Sequence, residues 1–423
     1  MKAGDVLAAS VPEAVDARVY HDTHIFEQEQ ERIYRGPVWS YVALECELEG
    51  AGAFKSTFVG NTPVVVTRDE EGNLNAWVNR CAHKGALVCR ALRGHAADGS
   101  FVCVYHQWAY DAKGNLRGVP FRRGMKGAGG MAKDFDLAQH GLQKLQVASL
   151  CGMVFLSFDD QVPPLEQFLG PAMCRYIRRV FNRPVRVLGY ARQNMRGNWK
   201  LYSENSRDGY HGGLLHLFYP TFGIYRPSQE SAGEVDAAGF HNAFTVSKPS
   251  QNGGYESYQS EANREMSGGA AGTEMLRDPS VLEFRPEFDD NIALLIQSLF
   301  PSVVLQQIQN TLATRQIVPH GVAETELVWT YFGYADDDEA MTRHRLRNIN
   351  LVGPAGYISM EDGEAVELCD QGTANTSGWR SLIEMGGDDV VDNVAPIGFD
   401  ENAVRGFWKG YLALMNGAAQ VQS

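Results

Sequence analysis

Two short pairs of metal-ligand residues constrain the fold of this chain more than any other feature of its sequence. Cys81 and His83 form a Cys-x-His pair, and Cys103 and His106 form a Cys-x-x-His pair. Short β-rich runs separated by turn residues surround both pairs, from about residue 42 to 158, which predicts an all-β module with each pair in a loop. Two close pairs of thiol and imidazole side chains on two loops predict one four-ligand metal site.

Two kinds of metal site use this ligand set. A structural zinc site can take two thiolates and two imidazoles, but such sites usually pair Cys with Cys and His with His, the histidines being on a helix. A Rieske [2Fe–2S] cluster binds one iron through two thiolates and the other through two imidazoles. Because each pair here mixes one Cys with one His, we favour the Rieske cluster and keep zinc as the alternative. A Rieske-type electron carrier would also satisfy this part of the sequence.

A second group of potential ligands lies between Asn198 and His216, in a segment that we predict to be helical. Asp208 and His211 are three residues apart and would share one helical face. His211 and His216 are five residues apart and would diverge on a regular helix, so the two glycines between them would have to break it. Taken alone, such histidines would more often be structural. Beside a Rieske module they favour the facial triad of two histidines and one carboxylate that binds non-haem iron.

With both groups of ligands, the chain resembles the large (α) subunits of Rieske non-haem iron aromatic-ring-hydroxylating oxygenases, and the resemblance covers nearly the whole sequence. It implies that His211, His216 and Asp362 bind the mononuclear iron, because Asp362 follows a Gly-Pro-Ala-Gly element as the carboxylate of the family does. Glu361 is the neighbouring alternative for this ligand, and Asp370 is a more distant one. The implied cofactors are one [2Fe–2S] Rieske cluster and one mononuclear Fe(II).

The resemblance also implies roles for Asn205 and Asp208 beside the iron. Asp208 would connect the iron ligand His211 to the cluster ligand His106 of a neighbouring subunit, because the two centres of one chain are too far apart in the family. A ring of three α subunits is therefore implied, as α3 or, with a small β subunit, as α3β3. Electrons would come from a ferredoxin, a flavin reductase or both.

The predicted fold class is α+β. We expect an all-β Rieske domain and a larger α+β catalytic domain in which helices surround an antiparallel sheet. The boundaries predicted from the sequence are an N-terminal arm packed on the catalytic domain at 1–38, a Rieske domain at 39–158 and a catalytic domain at 159–423.

Within the catalytic domain, helical periodicity covers residues 165–181, and strand-like runs cover 302–308 and 327–334. Two polar, Gly-containing stretches, 260–273 and 371–378, are predicted to be disordered or to act as lids.

The substrate implied by the resemblance is an aromatic carboxylate, which would be hydroxylated with O2. Anthranilate, converted to catechol with loss of ammonia and carbon dioxide, is the preferred candidate; salicylate, ortho-halobenzoate and terephthalate are the alternatives. A carboxylate requires a fixed cation, and arginine offers bidentate pairing. Arg315 and Arg405 are the candidates for this cation, with a structural ion pair or an exposed charge as the competing explanation for each.

Composition limits the partners and the location. The chain has 38 Lys and Arg against 51 Asp and Glu, a formal net charge of −13, which disfavours nucleic acid and anionic membrane surfaces. No apolar run reaches the roughly 18 residues of a membrane span. The seven cysteines are odd in number and are not spaced as a disulfide framework. We therefore expect a cytoplasmic, soluble protein that binds neither nucleic acid nor membrane.

Overall fold

The computed structural model of the chain divides into two compact units. One is Tyr34–Leu165, and the other combines Met1–Ile33 with Glu166–Ser423. The N-terminal residues thus belong to the same unit as the C-terminal part of the chain. The described residues are 7, 10–96, 98–221, 230–247, 278–376, 378–390 and 400–417. The predicted lid at 260–273 lies outside them.

The smaller unit is built from three small antiparallel sheets, which confirms the predicted all-β module. Their strand orders are β1-β10-β9, β4-β3-β2-β5 and β6-β7-β8. The strands are β1 (Ser40–Leu44), β2 (Ala53–Val59), β3 (Thr62–Arg68), β4 (Leu74–Val78), β5 (Arg93–His95), β6 (Ser100–Val102), β7 (Ala109–Asp111), β8 (Leu116–Gly118), β9 (Gln146–Leu150) and β10 (Met153–Ser157). Two loops of this unit carry the cysteine and histidine pairs, one after β4 and one between β6 and β7.

The larger unit contains a seven-stranded antiparallel sheet of order β11-β17-β16-β15-β14-β13-β12 in its described residues. The predicted strands at 302–308 and 327–334 are confirmed within it. The strands are β11 (Val185–Arg196), β12 (Ser231–Val235), β13 (Asn242–Ser247), β14 (Ile292–Leu299), β15 (Val303–Ile308), β16 (Thr311–Gly321) and β17 (Glu324–Tyr334).

Helices accompany this sheet, as predicted for the α+β class. They are α1 (Thr23–Glu29), α2 (Leu165–Val180), α3 (Trp199–Asn205), α4 (Phe218–Thr221), α5 (Glu339–Val352), α6 (Tyr357–Thr373) and α7 (Asn402–Met415). The helix predicted at 165–181 is confirmed as α2, although Gly170 interrupts it with a φ of 75°, which a glycine tolerates. The predicted lid at 371–378 is partly wrong, because its first three residues are the last turn of α6. No helix among the described residues is both long and apolar enough to cross a membrane.

A buried ion pair connects α1 with α3. Glu29 and Lys200 are both 0% exposed, and their charged atoms are 2.6 Å apart. Glu29 also accepts hydrogen bonds from the indole of Trp199 at 2.8 Å and from the hydroxyl of Tyr411 on α7 at 2.6 Å. One fully hydrogen-bonded carboxylate therefore fixes α3 against two other helices, and α3 leads directly into the segment that carries the histidines.

Candidate metal centres and active site

The first metal centre lies in two loops of the smaller unit. The thiols of Cys81 and Cys103 are buried, with 4% and 1% exposure, whereas His83 is exposed and His106 is half-buried. The Nδ1 atoms of the two histidines face each other at 3.2 Å. Two buried thiols and two imidazoles nearer the surface are the set of side chains that would hold a Rieske [2Fe–2S] cluster.

The spread of these four side chains distinguishes a cluster from zinc. Ligand bonds of 2.0–2.3 Å would bring all ligand atoms of one tetrahedral zinc to within about 4 Å of one another. Among the described residues, the one group of three or more His, Cys, Asp or Glu side chains whose ligand atoms converge within 4.8 Å does not include these four. Cys81, His83, Cys103 and His106 thus do not form a convergent single-ion site of the kind that zinc requires in the described residues.

Neighbouring side chains hold both loops in place. The buried Asn79 closes the first loop, since its amide oxygen accepts from the backbone of Val88 and Cys89 at 3.0 and 2.9 Å. The hydroxyl of Tyr110 lies 3.3 Å from the Cys81 sulfur. The ring of His83 stacks on Trp108, with centroids 4.9 Å apart and planes 4° apart. Both loops are thus shaped by contacts that need no metal.

The second centre consists of His211, His216 and Asp362, the group whose ligand atoms converge within 4.8 Å. The Nε2 atoms of the two histidines lie 3.4 and 3.1 Å from the same oxygen of Asp362. His216 and Asp362 are 4% and 5% exposed. The structure thus brings together the three side chains that the resemblance implied as iron ligands, and two imidazoles with one carboxylate suit Fe(II) with open coordination positions.

The local structure that carries the histidines differs from the prediction. The helix expected between residues 198 and 216 ends as α3 at Asn205, before the two glycines. Tight turns follow it, in which the backbone N–H of Asp208 donates to the carbonyl of Glu204 at 3.0 Å. Asp208 still meets His211, with 3.1 Å between Oδ2 and Nδ1, but a turn makes this contact rather than a shared helical face.

Electrostatics tie the three side chains together. Burial opposes a charge on His211, but hydrogen bonds to Asp208 and Asp362 outweigh it and raise its pKa to about 10. Burial would raise the pKa of Asp362, yet the two imidazoles hold it far below its usual range. Asp362 is therefore a buried carboxylate that requires positive charge beside it, which a divalent cation supplies.

Three other predicted residues surround this centre in different ways. Asn205 donates its side-chain N–H to the metal-facing oxygen of Asp362 at 3.2 Å. Glu361 does not face the centre but contacts Nδ1 of His216 at 2.8 Å. Asp370 lies elsewhere on α6, where its carboxylate is 3.8 Å from His21. Neither alternative carboxylate belongs to the converging group.

A cavity of about 680 Å³, counted with the space open to solvent, lies against His211, His216 and Asp362. Much of its wall is one face of the large sheet, since the strand register brings alternate residues of β13, β14 and β15 to the same side. The apolar side chains of the lining are Phe244, Val246, Leu294, Ile296, Ile308 and Ile358. A planar apolar ring would therefore fit beside the three ligands.

Arg315 on β16 brings a positive charge into this lining. Its guanidinium donates to the side-chain oxygen of Gln306 and, at 2.9 Å, to the hydroxyl of Tyr202, and it lies 4.5 Å from the ring centroid of Trp329. Among the described residues it has no carboxylate within 4.0 Å. Burial opposes its charge, but Tyr202 and, at longer range, Asp362 outweigh burial and raise the pKa of Arg315.

Two other buried arginines, Arg207 and Arg405, donate their hydrogen bonds to backbone carbonyls. Arg207 contributes to the lining, but its guanidinium donates to the backbone carbonyls of Ser203 and Phe240. Arg405 is 1% exposed and is not one of the described lining residues. It donates to three backbone carbonyls of residues 383–389. Arg405 therefore holds the segment before α7, and its role in substrate binding stays a prediction.

Sequence reasoning did not find the residues that hold Arg315 in place. Tyr202 is 113 residues away in the chain, and Gln306, nine residues before Arg315 on the neighbouring strand β15, belongs to no motif. Alternation in β13–β15 could have indicated a buried apolar face. It could not show that this face borders a cavity, because that depends on where α3 and α6 pack.

Comparison with known families agrees with both centres. The family model described as Rieske [2Fe-2S] domain matches residues 38–133, and the one described as ring hydroxylating alpha subunit (catalytic domain) matches residues 183–417. The chain therefore belongs to the large (alpha) subunits of the Rieske ring-hydroxylating oxygenases. It is an oxidoreductase of this class, which acts on an aromatic substrate with O2 and receives electrons from a reductase or ferredoxin. The electron-carrier alternative is thereby excluded.

The chain is similar to several characterised members along nearly its whole length. It is 48% identical to the anthranilate 1,2-dioxygenase large subunit of Burkholderia cepacia, over 95% of this chain and 93% of that protein. It is 46% identical to the terephthalate 1,2-dioxygenase terminal oxygenase component subunit alpha 2 of a Comamonas species, over 93% of each. Its fold matches naphthalene 1,2-dioxygenase from a Rhodococcus species, with a TM-score of 0.79 at 22% identity, covering 99% and 98% of the two chains.

This family uses a Rieske [2Fe–2S] cluster and a mononuclear iron, and the side chains present fit both. Two buried thiols and two surface imidazoles suit the cluster, and the converging His, His and Asp group suits the iron. Zinc, the alternative weighed for the first centre, agrees with neither the spread of its ligands nor the family.

Proposed function

We propose that this α subunit hydroxylates an aromatic carboxylate, and that anthranilate is its substrate and catechol its product. Cys81, His83, Cys103 and His106 would hold the Rieske cluster, and His211, His216 and Asp362 would hold the iron. Two electrons and O2 would be used for each ring, and the carboxylate and amino groups would leave as carbon dioxide and ammonia.

The observation that carries the choice of a carboxylate is Arg315. A buried cation without a carboxylate partner is costly, and an anionic ligand that enters the cavity beside it would offset this cost. Arg315 lines a mainly apolar cavity beside the three iron ligands, and the described residues offer it only the neutral acceptors Gln306 and Tyr202. A substrate carboxylate would supply the missing negative charge through charge-assisted hydrogen bonds.

The residues of the cavity would each do a separate part of the work. Arg315 would bind the carboxylate and so set which ring carbons face the iron ligands. The apolar wall would hold the ring and exclude water. Asn205 would fix the orientation of Asp362 through their hydrogen bond. The iron, when bound, would supply the O2 chemistry of the hydroxylation.

Anthranilate is preferred because the anthranilate dioxygenase subunit is 48% identical over nearly the full length. The terephthalate subunit is 46% identical, so identity separates these two substrates poorly. Salicylate and ortho-halobenzoate stay alternatives of the same chemical class. The α3 or α3β3 assembly, the ferredoxin or flavin reductase partner and the cytoplasmic location belong to this proposal as well.

The test is a substrate panel with the reconstituted enzyme, a matched reductase and, where required, a ferredoxin. Anthranilate, salicylate, 2-chlorobenzoate and terephthalate would be compared by kcat/KM and by product identity. We expect catechol from anthranilate at the highest kcat/KM. A higher kcat/KM for another acid would replace anthranilate within the proposal, and turnover of unsubstituted hydrocarbons alone would contradict a carboxylate substrate.

The variant Arg315→Gln tests the residue that carries the argument. Losing a charge-assisted pair of about 1.5–3 kcal/mol should raise KM for anthranilate by about 10- to 100-fold. The KM for the neutral analogue anthranilamide should rise much less than that for anthranilate. Both metal centres should keep their iron content and visible spectrum. Arg192→Gln is the matched control, since Arg192 lies on the same sheet, pairs with Glu326 and does not line the cavity. An unchanged KM would remove Arg315 from substrate binding.

A further inference from the structure

Each histidine of the iron site lies between two carboxylates. His211 faces Asp362 through Nε2 and Asp208 through Nδ1. His216 faces the same oxygen of Asp362 through Nε2 and Glu361 through Nδ1. An ionised carboxylate only accepts hydrogen bonds, so each ring nitrogen that faces one donates an N–H to it. A metal at the centre would replace the proton on Nε2, and the proton that stays would be the one on Nδ1, held by Asp208 or Glu361. The Nε2 lone pair of each ring is then available to a metal.

Glu361 holds its histidine tightly. The distance from its Oε2 to Nδ1 of His216 is 2.8 Å, shorter than the 3.1 Å between Asp208 and His211. Glu361 and Asp362 are consecutive on α6, so their side chains leave the helix about 100° apart. The imidazole of His216 spans both, with one nitrogen on each carboxylate. One turn of a single helix therefore sets both the position and the rotation of this ring.

The same geometry excludes Glu361 as an iron ligand in place of Asp362. Its carboxylate approaches the nitrogen of His216 that points away from the centre, and its side chain is 28% exposed, against 6% for Asp362. Glu361 is not part of the group whose ligand atoms converge. It can act on the metal only through His216.

We propose that Glu361 is a positioning residue for the iron site, which fixes His216 in the tautomer with the proton on Nδ1 and strengthens the binding of iron by Nε2. This inference rests on the proposed iron ligands and adds a residue to them. It also assigns different work to the two outer carboxylates. Glu361 increases the affinity of the site for iron, whereas Asp208 is the residue proposed to connect His211 with the cluster ligand His106 of a neighbouring subunit.

The experiment measures iron affinity rather than turnover. The full-length enzyme with its Rieske cluster intact would be depleted of mononuclear iron and titrated anaerobically with Fe(II) against a colorimetric chelator. We expect Glu361→Ala to bind Fe(II) about 10- to 100-fold more weakly than the wild type. The Fe(II) affinity of Glu361→Gln should fall less than that of Glu361→Ala, because the amide oxygen accepts the same hydrogen bond without the charge. Glu364→Ala is the control, an exposed acid three residues further along the same helix.

Two comparisons separate positioning from a general structural role. The melting temperature without iron should be the same for Glu361→Ala and Glu364→Ala, while the increase caused by saturating Fe(II) should be smaller for Glu361→Ala. At saturating Fe(II), single-turnover oxidation of the cluster should be fast in Glu361→Ala and largely lost in Asp208→Ala.

Equal affinities for Glu361→Ala and Glu364→Ala would overturn the inference and leave the proposed function standing. The same holds if Glu361→Gln binds Fe(II) as weakly as Glu361→Ala does, because the hydrogen bond to His216 would then not account for the affinity. If the wild type itself bound no stoichiometric Fe(II) at this site, the proposed iron ligands would fail and this inference with them.

Discussion

Arg315, Arg345 and Lys200 are all buried cations, but their partners differ. Arg345 pairs with Glu287 and with Asp337 at 2.7 Å, and Lys200 pairs with Glu29 at 2.6 Å. Arg315 has only neutral acceptors within hydrogen-bonding distance in the described part of the chain. At the scale of the residue, Arg345 and Lys200 are compensated by carboxylates, whereas Arg315 keeps its charge beside a cavity that a ligand could enter.

Glu204 gives a prediction at the same scale. Burial raises its pKa to about 7, although the hydroxyl of Tyr20 donates to it at 2.6 Å. Between about pH 4.5 and 7 the folded chain holds a proton that the unfolded chain has released, so the stability contributed by this group falls as pH rises through that window. In Glu204→Gln this dependence should disappear.

The measurement is the melting temperature from pH 4.5 to 8. The wild type should lose stability relative to Glu204→Gln up to about pH 7, and the difference should then level off. Glu364→Gln, at an exposed position on α6, should follow the wild type. A constant difference between the wild type and Glu204→Gln at all pH values would contradict the assignment.

At the scale of the element, the short helix α3 is the part that positions the site. It ends at Asn205, and the following turns place Asp208 and His211. The sequence predicted a longer helix here because the spacing of Asp208 and His211 fits a helical face. The chain turns instead, since both histidines must meet Asp362 on α6, and this long-range requirement leaves no local periodicity.

The buried pair of Glu29 and Lys200 should govern the stability of this element. Glu29→Ala leaves the ammonium of Lys200 uncompensated and removes the acceptor of Trp199 and Tyr411, so we expect a loss of about 3–5 kcal/mol. The free energy of unfolding of the double variant Glu29→Leu with Lys200→Met should fall clearly less, because no charge stays buried. Calorimetry of the three proteins measures this.

Equal destabilisation of the single and double variants would show that packing, rather than the uncompensated charge, controls α3. Fe(II) binding should weaken together with the melting temperature in Glu29→Ala, since α3 leads into the turns that carry the histidines.

At the scale of the whole molecule, the two metal centres lie in separate compact units of one chain. Catalysis requires electrons to pass from the cluster to the iron. The family resemblance implies that the iron of one subunit is served by the cluster of its neighbour, with Asp208 and His106 as the connection. The proposed ring of three α subunits would give every iron such a neighbour.

Mixed assemblies test this arrangement. A Cys81→Ser chain lacks a cluster ligand, a His211→Ala chain lacks an iron ligand, and each alone should be inactive. Co-expressed with two different tags and purified through both, the mixed trimers should regain about a third of the wild-type rate, because each contains one productive pair of neighbours among its three. Mixed assemblies with no activity would show that electrons pass within one chain.

The sequence by itself predicted the four side chains of the first centre and the two histidines of the second. Cys81, His83, Cys103 and His106 lie within short loops, so their spacing is local information, and the β-rich runs around them predict the module that holds them. Two of the seven strands of the larger sheet, β15 and β17, were predicted for the same reason, because a continuous strand-like run is a property of neighbouring residues.

Only the tertiary structure decided which carboxylates join the histidines and which arginine enters the cavity. Asp362 and Glu361 are adjacent and chemically alike, yet one faces the centre and the other the outer nitrogen of His216, because α6 turns them apart. Arg315 and Arg405 are both buried arginines, but one lines a cavity and the other caps a backbone segment. These differences depend on the packing of elements far apart in the chain, which no local pattern records.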